Sequence, residues 1–267
     1  MAYQRVLLTG AAGNLGRELR QRLAGRFPVL RLSDIADMAP AGPGEEVVRC
    51  DLSDANAVAE LCRDVDVILH FGGRSTEAGW ETVLPANIIG AINLWEGARQ
   101  AGVKRIVFAS SNHVIGLHRR SERIDHRAMA APDCRYGLSK AFGEDLAALY
   151  AYKHGVSALC IRIGSSYAEP ADARQLATWM SFGDLVRMIE VGLTADYVYE
   201  IVYGVSDNSR SFWDNSNAER LGYRPADSAD RFIATHAERV TDDPVTELTQ
   251  GGSYSSSEFS GDPDALP

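Results

Sequence analysis

Tyr136 and Lys140 stand four residues apart in the run Tyr136-Gly137-Leu138-Ser139-Lys140. Residues at that spacing project from one face of a helix, so the ammonium can lie beside the phenol and stabilise its anion. A tyrosine begins with a pKa of about 10, and a nearby cation is what would make it a usable base near neutrality. The Y-x-x-x-K pattern is common by chance. Its place 120 residues after Gly16, and after a run ending Ala109-Ser110-Ser111, is far more specific.

A second group suits a dinucleotide. Thr9-Gly10-Ala11-Ala12-Gly13-Asn14-Leu15-Gly16 follows one apolar run and opens a helical pattern. Small residues there allow a tight turn and let backbone N–H groups approach a pyrophosphate, whose charge the helix N-terminus favours. Val29-Leu30-Arg31-Leu32 then leads to Ser33-Asp34, eighteen residues past Gly16. A carboxylate at Asp34 can accept hydrogen bonds from both ribose hydroxyls and repels a 2′-phosphate. No arginine among Ile35–Met38 would hold such a phosphate, so NAD is expected rather than NADP. Asp51-Leu52 is placed to meet an adenine, and Phe71-Gly72-Gly73 is small enough to let the dinucleotide pass.

Short β-branched runs at 5–9, 28–33, 46–50, 66–71, 105–110 and 157–163 alternate with helical patterns near 14–24, 54–63, 80–101 and 136–154. That alternation predicts an α/β protein with a Rossmann-type doubly wound parallel sheet flanked by helices. Beyond residue 163 the pattern loosens to a helix at 182–191, a strand at 199–204 and helices near 214–221 and 226–239. The expectation is one NAD-binding domain over 1–240, with a small C-terminal substrate-binding cap at about 164–240 and an acidic tail at 241–267.

The 267 residues carry 27 Lys and Arg against 36 Asp and Glu, a formal charge of −9. Six of the acids, and no Lys or Arg, lie in 241–267, which leaves −3 for the first 240 residues. No basic stripe suggests nucleic acid, and no apolar stretch is long enough for a membrane span. Cys50, Cys62, Cys134 and Cys160 show no C-x-x-C spacing, which points to reduced thiols in a cytoplasmic protein. No His/Asp/Glu set has metal-ligand spacing, so no metal is expected. Trp80 and Trp95 read as core or subunit contacts, and the basic run His118, Arg119, Arg120, Arg123, His126 receives no role. The tail also holds Val245, Leu248, Tyr254, Phe259 and Leu266, apolar enough to dock on the body or on a neighbouring copy.

Over roughly residues 5–165 these pieces, with Asn87 and Ser110-Ser111, resemble the short-chain dehydrogenase/reductase superfamily in its extended, nucleotide-sugar-epimerase-like branch. The resemblance implies Tyr136 as general base, Lys140 binding the nicotinamide ribose and lowering the tyrosine pKa, and Ser111 orienting the reacting hydroxyl. It implies cofactor contacts from Gly10, Gly13, Asn14, Leu15, Gly16, Asp34, Asp51, Leu52, Phe71, Gly72, Gly73 and Lys140, with Asn87 holding the helix after the fourth strand. Asn112-His113 and Ile115 depart from the epimerase pattern, and the chain beyond the sheet is short for a sugar nucleotide.

Gly72-Gly73-Arg74-Ser75, Ser111-Asn112-His113, Gly164-Ser165-Ser166 and Arg174 are similar to the uronate dehydrogenases, short members of that branch. That likeness implies NAD-dependent oxidation of the anomeric C1 hydroxyl of galacturonate or glucuronate to an aldarolactone. Ser75, Ser111, Asn112, His113, Tyr136 and Ser165 would line the sugar, and Arg174 would hold its carboxylate. A homo-oligomer acting on a small sugar acid is expected. A nucleotide-sugar epimerase or dehydratase is the alternative enzyme reading. A non-catalytic NAD sensor is the alternative from another class, and the Tyr136–Lys140 pair argues against it.

Overall fold

Strand β1 (Arg5–Thr9) has a buried run from Val6 to Thr9, the pattern of a strand covered on both faces in a parallel sheet. A computed structural model describes residues 3–267. Helix α1 (Asn14–Leu23) follows, then β2 (Val29–Asp34), β3 (Glu45–Arg49), α2 (Ala55–Leu61) and β4 (Val67–His70). β1 pairs in parallel with β2 on one side and with β4 on the other. With β5 (Arg105–Ser111), β6 (Ser157–Ile163) and β7 (Tyr199–Gly204), the seven-stranded order is β3-β2-β1-β4-β5-β6-β7. The order reverses between β1 and β4, so the residues after Thr9 and His70 stand where such sheets bind ligands. The predicted strands agree with these within about two residues.

The predicted 80–101 helix is three pieces: α3 (Trp80–Val83), a π-helical turn (Leu84–Ile89) and α4 (Gly90–Ala101). Pro85 lies at the start of the wide turn. It has no N–H to donate to the preceding turn, and the ladder slips by a residue there. Helix α5 (Arg135–His154) runs over the predicted range. After β6 come α6 (Gln175–Thr178) and α7 (Phe182–Thr194), and after β7 comes α8 (Ser216–Arg220). The predicted 226–239 helix is reduced to a 3-10 turn (Ala229–Phe232) and α9 (Ile233–His236), because Ser228 caps a new start at Ala229 by accepting the Asp230 N–H. The tail forms α10 (Pro244–Leu248), capped by Asp243, and α11 (Ser253–Ser256).

The chain divides into two compact units. The first comprises Met1–Ala109, Phe142–Cys160 and Gly192–Glu200, and contains β1 to β4 with α1 to α4. Its core includes Leu7, Leu8, Ile68, Leu69 and the fully buried Trp95. The second comprises Ser110–Ala141, Ile161–Val191 and Ile201–Pro267. Tyr203 and Trp213 stack there at 4.8 Å and 8°, packed with Val114, Ile115 and Val205.

Candidate active site

In the first unit the glycine turn is built by the strand ends. Thr9 Oγ1 accepts the Gly72 N–H at 3.0 Å and bonds His70 Nδ1 at 2.8 Å, tying β1 to β4. Gly10 has φ +73°, and a Cβ there would meet the Phe71 carbonyl oxygen at 2.4 Å, so only glycine fits. Gly13 caps α1 with no side-chain bond, which leaves the first-turn N–H groups of this ten-residue helix uncapped, as an anion site requires.

Asp34 ends β2, and its carboxylate accepts the N–H of Ala12 at 2.9 Å and of Ala36 at 3.0 Å. It therefore joins the glycine turn to the segment after β2. Asp51 Oδ1 takes the N–H and hydroxyl of Ser53 at 2.9 and 2.8 Å, and Leu52 packs under Gly72. Asn87 ties the helical segment after β4 to the loop that precedes it. From the π-helical turn its side chain accepts the Arg74 N–H at 2.7 Å and donates to the Arg74 carbonyl at 3.0 Å. It thereby holds the 72–75 loop. Ser75 is exposed on that loop.

In the second unit, β5 delivers Ser111, whose Oγ accepts the His113 N–H at 3.2 Å and caps the 3-10 turn Asn112–Val114. α5 begins close beside it. A Cβ on Gly137 would fall 2.2 Å from the His113 carbonyl oxygen, so glycine lets the first turn of α5 pass. Tyr136 is thereby brought to Ser111, with which it shares a hydrogen bond. Its ring lies edge-on to His113 at 5.9 Å, and the Lys140 ammonium is 5.7 Å from its centroid. Both residues are buried. Burial pushes the Tyr136 phenol above its ordinary range, the Ser111 bond pulls it down, and Cys134, Tyr254 and Asp133 push it further up. Desolvation lowers Lys140 to about 8. Burial therefore dominates at Tyr136, and the Ser111 bond is what opposes it.

Asn112 is buried with its amide nitrogen unpartnered. Ser165 bonds Thr178 at the C-terminal end of α6, Oγ to Oγ1 at 2.9 Å, and Arg174 precedes the N-terminal end of that helix. Arg174 Nη1 donates to the Gln250 carbonyl at 3.0 Å. No carboxylate among the described residues pairs with it. Desolvation holds its guanidinium below the ordinary arginine value, with Asp172 and Asp133 near enough to raise it partly. A half-buried cation with no carboxylate partner among the described residues is costly, which suits a site that receives an anion.

Three features lay outside the sequence reading. Asp133 Oδ2 accepts from His113 Nδ1 at 2.7 Å and so orients the imidazole. Tyr254 stacks on His113 at 4.2 Å and 17°. The basic run secures the C-terminal segment. Arg119 donates to the carbonyls of Pro263, Asp264 and Leu266, and Arg120 binds the Glu247 carboxylate and the carbonyls of Thr246 and Thr249. The acidic tail thus docks on its own chain. Among the described residues His113, Asp133 and Cys134 also gather with one possible metal-ligand atom each within 4.8 Å of the others. Two of those atoms are already bonded to each other, and the Cys134 sulfur accepts the Gly137 N–H at 3.2 Å.

The NAD dependent epimerase/dehydratase family model matches residues 6–214. This chain belongs to that family. It is 51% identical over 257 residues to the uronate dehydrogenase of Pseudomonas putida, covering 94% of this chain and 96% of the relative. Identity to the uronate dehydrogenase of Pseudomonas syringae pv. tomato is 49% over 264 residues, with 97% and 96% covered. A mutant uronate dehydrogenase from Agrobacterium tumefaciens, complexed with NAD, superimposes with a TM-score of 0.91 at 45% identity, covering 95% of this chain and 97% of that one.

Proposed function

We propose that this chain is an NAD-dependent oxidoreductase that oxidises the C1 hydroxyl of a hexuronic acid, galacturonate or glucuronate, to the aldarolactone. The carrying observation is Arg174, a partly desolvated guanidinium that donates to the Gln250 carbonyl and has no ion pair among the described residues. Its planar fork can grip a carboxylate through two parallel hydrogen bonds, which selects an acid over a neutral sugar.

The fit to NAD rests on the uncapped start of α1, the small residues of the glycine turn and the Asp34 carboxylate. Gly10, Gly13, Asn14, Leu15, Gly16, Asp51, Leu52, Phe71, Gly72 and Gly73 complete that surface, and Asn87 steadies it through Arg74. When bound, NAD accepts the hydride from C1. Tyr136 takes the C1 hydroxyl proton at its phenolic oxygen, Ser111 orients that hydroxyl, and Lys140 supplies positive charge beside the phenolate and binds the ribose. Ser75, Asn112, His113 and Ser165 supply hydroxyl, amide and imidazole partners for the ring.

Mixing the protein with NAD and either uronate should give NADH absorbance, with none from galactose, glucose or UDP-glucose. Activity on the UDP-sugar alone, or none on either uronate, would sink the assignment. Asp34→Ala should weaken both cofactors, since the carboxylate also holds Ala12 and Ala36. The ratio of kcat/KM for NAD over NADP should fall by roughly tenfold or more once the charge facing a 2′-phosphate is gone. An unchanged ratio would remove Asp34 from cofactor selection.

The four cysteines are all free, which supports a reducing cytoplasm. No described helix is long and apolar enough to cross a membrane. Trp80, Leu84, Ile89 and Ile92 are exposed along α3, the π-helical turn and α4, which supports self-association through that face.

A further inference from the structure

The segment from Thr249 to Ser255 is pinned far more firmly than an acidic appendage needs. Gln250 is fully buried, and its backbone N–H donates to the His118 carbonyl at 2.8 Å. Its side-chain oxygen accepts from Trp213 Nε1 at 2.8 Å, and its side-chain nitrogen donates to the Arg119 and Glu122 carbonyls at 3.0 Å each. The Gly251 N–H donates to the Gly116 carbonyl at 2.8 Å. With every side-chain polar atom of Gln250 engaged, its main-chain carbonyl is a fixed point, and that is the carbonyl to which Arg174 donates.

Gly252 lies against the same arginine. Its φ is +69°, and a Cβ would sit 2.6 Å from Arg174 Nε and 2.8 Å from Cδ. Two residues on, Tyr254 covers His113. Asp133 joins the two contacts. Its side chain is fully buried, it holds His113, and a Cβ on either Gly116 or Gly251 would fall within 2 Å of its Oδ2. Arginine carries five N–H donors, and the Gln250 carbonyl uses one. The contact leaves a fork that is already oriented, so less freedom is lost when a carboxylate binds.

We propose that Gln250, Gly252 and Tyr254 are positioning residues that set specificity for the acid. The C-terminal segment holds Arg174 through Gln250 and Gly252 and holds His113 through Tyr254. The inference rests on the uronate reading above, and it gives the tail a part in substrate selection that neither its composition nor its charge suggests.

The test uses the full chain with NAD and either uronate. Gly252→Ala should raise the KM for the uronate at least tenfold, with kcat changed less than threefold, NAD affinity unchanged and Tm within about 5 °C of wild type. Tyr254→Ala should raise the KM about fivefold, and Tyr254→Phe, which keeps the stacking ring, should restore it. The Tyr254 pair decides the matter where Gly252→Ala does not fold. An unchanged uronate KM in folded Gly252→Ala or Tyr254→Ala overturns the proposal. So does an equal loss of uronate and NAD affinity, which marks a general structural defect. If the wild-type chain turns over no uronate, the functional reading itself fails, and this inference goes with it.

Discussion

Tyr136→Phe is expected to lower kcat by roughly 10³-fold, within the ~10²–10⁴ range of a lost acid–base group, while NAD binds within about threefold of wild type. The phenol is enclosed and pushed above its ordinary range, so near neutrality it is protonated in most molecules. Raising the pH increases the phenolate fraction, and kcat/KM should climb from the acid side. Lys140, held near 8 by desolvation, works against this above that value, because the neutral amine no longer stabilises the phenolate. The wild-type profile should therefore climb with pH up to about 8 and level off above it, and the residual rate of the phenylalanine variant should lack that climb. Turnover retained in the variant would remove Tyr136 as the base. Titration of NAD by quenching of intrinsic fluorescence checks the binding half.

The second large effect is expected at Arg174. Two charge-assisted hydrogen bonds at about 1.5–3 kcal/mol each correspond to a loss of roughly 10²–10⁴ in kcat/KM when Arg174 becomes methionine. Lysine should recover only part of it, since a point charge cannot make the bidentate grip. The same Met variant should keep or raise its Tm. The guanidinium is desolvated, makes one hydrogen bond to a carbonyl and has no carboxylate partner, so its charge costs the apoprotein stability. A variant that lost both activity and several degrees of Tm would show Arg174 to be a structural residue.

Much of the fold and of the site is legible in the sequence alone. The strands of the sheet announce themselves as short apolar runs because parallel strands are covered on both faces. Asp34 and Tyr136 are readable because each stands at a fixed distance along the chain from an element end. Asp133 is not. It is 20 residues from His113, in a stretch without periodicity, and only the fold shows that its carboxylate faces the imidazole. Gln250 and Gly252 are hidden for a different reason. Their partner Arg174 is some 76 positions away, and the surrounding acids look like a solvated tail. Two of those acids are paired, Glu247 with Arg120 and Glu258 with Arg135, while Arg119 grips tail carbonyls, and no spacing reveals the purpose of the basic run. The slip at Pro85 lies in view, but a proline inside a helical pattern predicts an interruption without saying which form it takes.

The separation between Arg174 and Gln250 has a consequence for the order of events on the ribosome. A nascent chain grows at about 5–20 residues per second, and N-terminal parts fold first. Once Arg174 has been added, roughly 4–15 s pass before the residue that restrains it is made. The residues assigned to the dinucleotide, apart from Lys140, all precede Gly90. The unit that carries them is complete in sequence at Glu200, 50 positions before Gln250, so a nascent chain can acquire its cofactor grip before it can tell an acid from a neutral sugar.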